Sequence, residues 1–175
     1  MHPFLEKLRG GDRRSIGRSE EVVKLVLARP SLFAVLMSGL SLDDPLIRMR
    51  CADAAEKITA RKPEWLAPYK NMLIGEIAGI DQQEVRWHAA ILFTRLKLTS
   101  AERQKVASIL KSWLDDKSRI VQTFSLQALA DLSKGDPSLR SEVKRLIEER
   151  IKTAPPSVRS RAKKLVKELN HEKRI

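Results

Sequence analysis

Four stretches of this 175-residue chain superimpose on one another without a gap. They are Ile47-Arg48-x-x-Cys51-x-x-Ala54-Ala55-x-x-Ile58, Val85-Arg86-x-x-Ala89-x-x-Leu92-Phe93-x-x-Leu96, Val121-Gln122-x-x-Ser125-x-x-Ala128-Leu129-x-x-Leu132 and Val158-Arg159-x-x-Ala162-x-x-Leu165-Val166-x-x-Leu169. Successive starts lie 38, 36 and 37 residues apart. Counted from each start, offsets 0, 4, 7, 8 and 11 are apolar or small. At about 100° per residue these offsets share one face of a helix. Each stretch is therefore predicted to be an amphipathic helix, and a period of this size marks a chain built from stacked supersecondary units.

A second apolar-periodic run precedes each stretch. Pro30-Ser31-Leu32, Pro63-Glu64-Trp65 and Pro137-Ser138-Leu139 open three of them, and Thr99-Ser100-Ala101-Glu102 opens the other. Proline fits the first helical turn, where its missing N–H costs nothing, and serine or threonine can cap the free N–H groups there. Polar or proline-rich turns then separate the paired helices: Asp43-Asp44-Pro45, Asp81-Gln82-Gln83, Asp115-Asp116-Lys117-Ser118 and Ala154-Pro155-Pro156-Ser157. No strand pattern is present. The expected organisation is one repeat domain over 19–170, with helix pairs at about 30–60, 63–98, 99–133 and 137–170. Glu20 to Ala28 reads as an N-terminal capping helix. Residues 1–18 read as a short helical turn at 3–9 and a mobile basic arm, and 171–175 as a tail. At offsets 5 and 6 the last helix has Lys163-Lys164, where the others have Ala52-Asp53, Ala90-Ile91 and Leu126-Gln127. A polar outer side is expected of a terminal repeat with nothing to cover it.

The chain resembles the HEAT repeat family of α-solenoids. The resemblance rests on Asp43…Ile47-Arg48, on Asp81…Val85-Arg86, and on the small residue four positions after Ile47, Val85, Val121 and Val158. It covers about residues 30 to 170; the third repeat has Gln122 in place of the arginine and the fourth has Ala154 in place of the aspartate. The resemblance implies an all-α, right-handed solenoid of about four helix pairs, acting as a scaffold or binding surface. It also implies that the turn aspartate and the offset-1 arginine tie repeats together in a ladder. Arg48, Arg86 and Arg159 alternatively form a basic row for a ligand, since the planar guanidinium suits both roles.

The chemistry of an enzyme is missing from the sequence. There is no GxxxxGK[ST] or GxGxxG loop, and the single glycine pair, Gly10-Gly11, follows no strand. One cysteine gives no disulfide framework or multi-cysteine metal site, and the three histidines stand far apart at 2, 88 and 171. Cys51 occupies the small-residue column of Ala89, Ser125 and Ala162 and reads as a buried hydrophobe. His88 shares its column with Arg50, Phe124 and Arg161 and reads as a flanking histidine with a local hydrogen bond. No cofactor and no metal are expected. Neither a membrane-spanning run nor a secretory signal is visible, so a cytoplasmic monomer is the expectation.

Two surfaces are candidates for a partner. In a HEAT array the second helix of each pair lines the concave side, and the offsets opposite its buried face place Met49, Trp87, Ile91, Thr123 and Gln127 there. Trp87 and Ile91 would make an apolar anchor point for a protein partner, or else pack between repeats. The second candidate is nucleic acid. The net charge is +12, and residues 144–175 hold eleven basic against four acidic residues while 1–18 hold five against two. Contact would then run through Arg13, Arg14, Arg161, Lys163 and Lys164 at the two ends; solvated caps that keep the array soluble are the other reading. Alkylpurine DNA glycosylases also use HEAT-like repeats and a basic surface. This chain shows no aspartate flanked by groove-facing tryptophans, so the likeness concerns fold alone.

Overall fold

A computed structural model describes residues 2–10 and 17–171. Among these residues the backbone is helical without a strand. The α-helices are α1 (Pro3–Glu6), α2 (Ser19–Ala28), α3 (Leu32–Ser38), α4 (Pro45–Thr59), α5 (Lys70–Ile74), α6 (Gln83–Thr94), α7 (Ser100–Ser112), α8 (Arg119–Leu132), α9 (Pro137–Thr153) and α10 (Pro156–His171). The chain divides into two compact units, Met1–Lys97 and Leu98–Ile175. Among the described residues no helix is long and apolar enough to cross a membrane.

In the first unit α2 packs on α4, and α4 in turn packs on α6. Helix α4 starts where Asp44 accepts hydrogen bonds from the N–H groups of Leu46 and Ile47 at 2.9 and 3.2 Å, with Pro45 in the first turn. The first helix of the second pair is irregular. Pro63–Tyr69 is a 3-10 helix, and α-helical geometry begins only at Lys70. Pro68 lies inside that stretch, and without an N–H it cannot complete the i→i−4 ladder. Packing nevertheless continues through it: Phe33 meets Trp65 and Tyr69 edge-on at 5.4 and 5.6 Å between ring centres.

The expected helical turn within 3–9 is present, and residues 11–16 of the expected arm lie outside the described residues. Phe4, Leu5 and Leu8 of that turn are buried, and α1 packs on α3. It is anchored by Arg50, whose side chain is 1% exposed. Its Nη1 donates to the carbonyls of Leu8 and Gly10, each at 2.6 Å. Gly17 lies against the same guanidinium: it has φ +56°, and a Cβ there would come within 2.7 Å of Arg50 Cζ. A buried cation is satisfied by backbone carbonyls, and the segment is held down in exchange.

In the second unit α7 packs on α8, α9 on α10, and α8 on α10. Thr99 and Glu102 form a reciprocal capping box at the start of α7, and Asp136 caps α9 through the Leu139 N–H at 3.0 Å. Two arginines repeat one contact. Arg103 donates to the carbonyl of Leu132 at 2.9 Å and Arg140 to that of Leu169 at 2.7 Å. Each first helix thus supplies a cation to the last turn of its partner helix, where carbonyls lack intrahelical donors.

The repeated columns fall where the periodicity places them. Offsets 0, 4, 7 and 11 are buried in all four stretches, and offset 8 is buried in Ala55, Phe93 and Leu129 and half-buried in Val166. Offset 5 is buried as Ala52, Ala90 and Leu126 but exposed as Lys163. Because Ala89 is buried in the small-residue column, Ala89→Leu is expected to cost about 1–3 kcal/mol through overpacking, measured by urea unfolding. An unchanged midpoint would mean that the column tolerates bulk.

Candidate interaction surface

The offset-1 row is occupied in bracing turns. Arg48 Nη1 donates to Leu42 O at 2.9 Å, Arg86 Nε to Ile80 O at 3.2 Å, Gln122 Nε2 to Asp116 O at 2.6 Å and Arg159 Nη2 to Ala154 O at 3.1 Å. The contact repeats in all four pairs, glutamine included, because each side chain needs only a donor that reaches back over its own turn. A tie between the first two pairs exists in a different form from the expected aspartate ladder. Arg48 Nε donates to Gln82 Oε1 at 3.0 Å, and Gln82 Nε2 donates to Pro45 O at 2.7 Å. Asp81 pairs with Arg86 of its own repeat at 3.1 Å.

The expected apolar groove loses a member. Met49 is buried, at 9% exposure, because α4 has packed neighbours in α2, α3 and α6 and buries a wide arc. Trp87 and Ile91 are half-buried. Trp87 stacks on the buried ring of His88, with centroids 3.4 Å apart and planes 28° apart. In the second unit, Thr123 and Gln127 are half-buried and engaged. The Thr123 hydroxyl donates to Arg119 O at 2.7 Å, and Gln127 bonds Asp131 at 3.2 Å and Arg161 at 3.0 Å. Trp87→Ala is expected to cost about 2 kcal/mol of stability, below the roughly 3–5 of a fully buried tryptophan. Urea unfolding checks this, and no loss would return Trp87 to the surface.

Between α2, α4 and α6 lies a polar cluster that the sequence reading did not assemble. The Ser19 hydroxyl donates to Asp53 Oδ2, and Lys57 Nζ stands 3.0 Å from the same carboxylate. His88 Nδ1 donates to Glu84 O at 2.6 Å; its Nε2 has no hydrogen-bond partner and faces Asp53 Oδ1 at 3.8 Å. Burial alone would raise the Asp53 carboxyl, but His88, the Ser19 hydroxyl and the Lys57 ammonium outweigh it and bring it down to about 2. This order of groups does not activate a nucleophile. The serine gives its proton to a very weak base, and the imidazole does not touch the serine. The cluster instead joins three helices.

A pH dependence follows from Asp53. Its carboxyl falls from 3.8 to about 2 on folding, so it contributes stability above about pH 4 that is lost as the pH drops toward 2. Asp53→Asn is expected to cost about 2 kcal/mol at neutral pH, with the gap from the native chain closing near pH 2. A gap independent of pH would contradict the ionised state. Cys51 is buried, and burial pushes its thiol up, as suits a packing residue rather than a nucleophile.

The basic residues sort cleanly on α10. Arg13 and Arg14 lie outside the described residues. Arg161 is half-buried and donates to Gln127, so it positions the helix rather than projecting from it. Lys163 and Lys164 are exposed, as are Arg159 and Lys167, which sequence reasoning left out of this surface. Arg159 belongs to the offset-1 turn row, and no other repeat has a basic residue at the offset of Lys167. Among the described residues no ion pair engages Arg159, Lys163, Lys164 or Lys167, whereas Lys111, Lys134, Lys144 and Arg150 of the same unit are each paired with a carboxylate. No protein-family model matches the chain, and no curated protein matches it.

Proposed function

We propose that this chain is a non-catalytic, HEAT-like helical-repeat scaffold, its helix pairs stacked as a right-handed α-solenoid, that binds a macromolecular partner through the outward faces of its helices. The observation that carries this reading is the division of labour along the repeat. Offsets 0, 4, 7 and 11 are spent on packing and offset 1 on bracing the turn, in every pair. What differs from pair to pair is the outward side, and a stack of helices presenting different side chains in succession is a binding surface. The packing of α4 on α6 and of α8 on α10 supports the stacked arrangement.

A protein partner seated on Trp87 and Ile91 remains the reading for the first unit; its support is two large apolar side chains left half-buried. Affinity capture tests the scaffold reading. The native chain is expected to retain a specific macromolecule at moderate salt that a helical control protein of equal charge does not retain. Variants of outward residues should lose it. A chain that retains nothing above that control would contradict the proposal.

A further inference from the structure

Helix α10 is the most amphipathic surface in the second unit. Val158, Ala162, Leu165 and Leu169 are buried on one side, where the helix meets α8 and α9. The opposite half of the helix exposes Ser157, Arg159, Ser160, Lys163, Lys164 and Lys167. Arg159, Lys163 and Lys167 are spaced four apart and form one ridge, stepping about 6 Å along the helix at each residue. Lys164 flanks that ridge. One acidic residue, Glu168, is exposed on the helix, and it pairs with none of these cations.

Four like charges without a carboxylate partner on one face repel one another; Arg159 also braces its own turn through Ala154 O, while Lys163, Lys164 and Lys167 form no ion pair among the described residues. Some cations of the unit are matched to carboxylates, as Lys111 to Glu142 at 2.9 Å and Arg150 to Asp115 at 2.9 Å, but the α10 ridge holds three that are unmatched among the described residues, in line on a single helix face. We propose that the outward face of α10 is a docking surface for the phosphate backbone of a nucleic acid. This rests on the scaffold reading above and names its partner class.

Charge complementarity calls for a polyanion, and the composition of the face selects the kind. Protein interfaces keep an apolar or aromatic centre inside a polar rim. The α10 face has no exposed large apolar side chain; among the described residues Ile120 on α8, at 52% exposure, is the only one. Membrane-surface helices likewise need an apolar face free to enter the lipid, and the apolar side of α10 is already buried in the unit. A row of cations with serine hydroxyls beside it offers what phosphate oxygens accept, point charges and hydrogen-bond donors. Recognition is therefore chiefly of the backbone.

The test is a fluorescence titration of the full chain with short labelled duplex and single-stranded DNA and RNA, between about 50 and 200 mM salt. Three ridge contacts predict a slope of log affinity against log salt of about −3 on duplex. The double variant Lys163→Gln/Lys167→Gln should lower the slope's magnitude by about 2 and weaken binding at least tenfold at about 100 mM salt. Both lysines are exposed, so an unchanged thermal melt controls for folding. No binding at about 50 mM salt, or equal binding by the variant, overturns the proposal. So does tighter binding of a polyglutamate peptide or of phosphatidylserine vesicles than of nucleic acid. If those results came while affinity capture still retained a protein partner, the docking surface would fail and the scaffold reading would stand.

Discussion

Arg50→Ala will lower the unfolding free energy by about 3–5 kcal/mol, measured by urea denaturation at neutral pH. The guanidinium is buried and holds two main-chain carbonyls, Leu8 O and Gly10 O. Removing it strips a charge-assisted partner from both and opens a void beneath the N-terminal segment. The loss should reach further than α4. Amide exchange at Leu5 and Leu8 should accelerate, because the contacts that hold α1 on α3 depend on this anchor. Arg50→Lys should recover only part of the stability, since an ammonium lacks the planar fork of donors. A loss below about 1 kcal/mol for Arg50→Ala would mean that the carbonyls find other partners.

The second large effect is at Gly39, between α3 and α4. Its φ is −65°, so nothing in the backbone requires glycine. The requirement is space: a methyl group there would run into Cys51 Sγ and approach Leu5 Cδ2 to 3.2 Å. Gly39→Ala is expected to cost about 2–3 kcal/mol by overpacking. Combining it with Cys51→Ala removes the sulfur that the methyl meets, so the double variant should be within about 1 kcal/mol of Cys51→Ala alone. Additive losses in the double-mutant cycle would show that the two sites do not share that space. Either outcome is read by chemical denaturation.

The second helices could be read from sequence because their burial follows a strict geometric period. Ala54, Leu92, Ala128 and Leu165 share one offset and are all buried, and only one helical phase buries all the repeated columns. Helix starts were legible for the same local reason, through Thr99 with Glu102 and through Pro137. What escaped depended on groups distant in sequence. Arg50 and His88 share an offset, yet one anchors residues some forty positions earlier and the other sits beside Asp53 of the preceding pair. Nothing local distinguishes them. The turn holding Phe4, Leu5 and Leu8 was legible, but its burial against α3 was not, because it too depends on distant residues. Met49 faces away from the repeated columns, and its burial comes from the number of helices around α4, which helical phase does not encode. The interaction surface was half legible: Lys163 and Lys164 stood out against the small residues of the other repeats, while Arg159 and Lys167 became part of it only once the exposed arc of α10 was known.

The most direct test is to follow backbone amide resonances of the full chain while a short duplex is added at about 50 mM salt, the low-salt end at which phosphate contacts are strongest. Shifts confined to residues 156–171, largest around Arg159, Lys163 and Lys167 and reversed by added salt, are the predicted result. Shifts centred on Trp87 and Ile91, or no shifts at all, would contradict a repeat scaffold that meets its partner through α10.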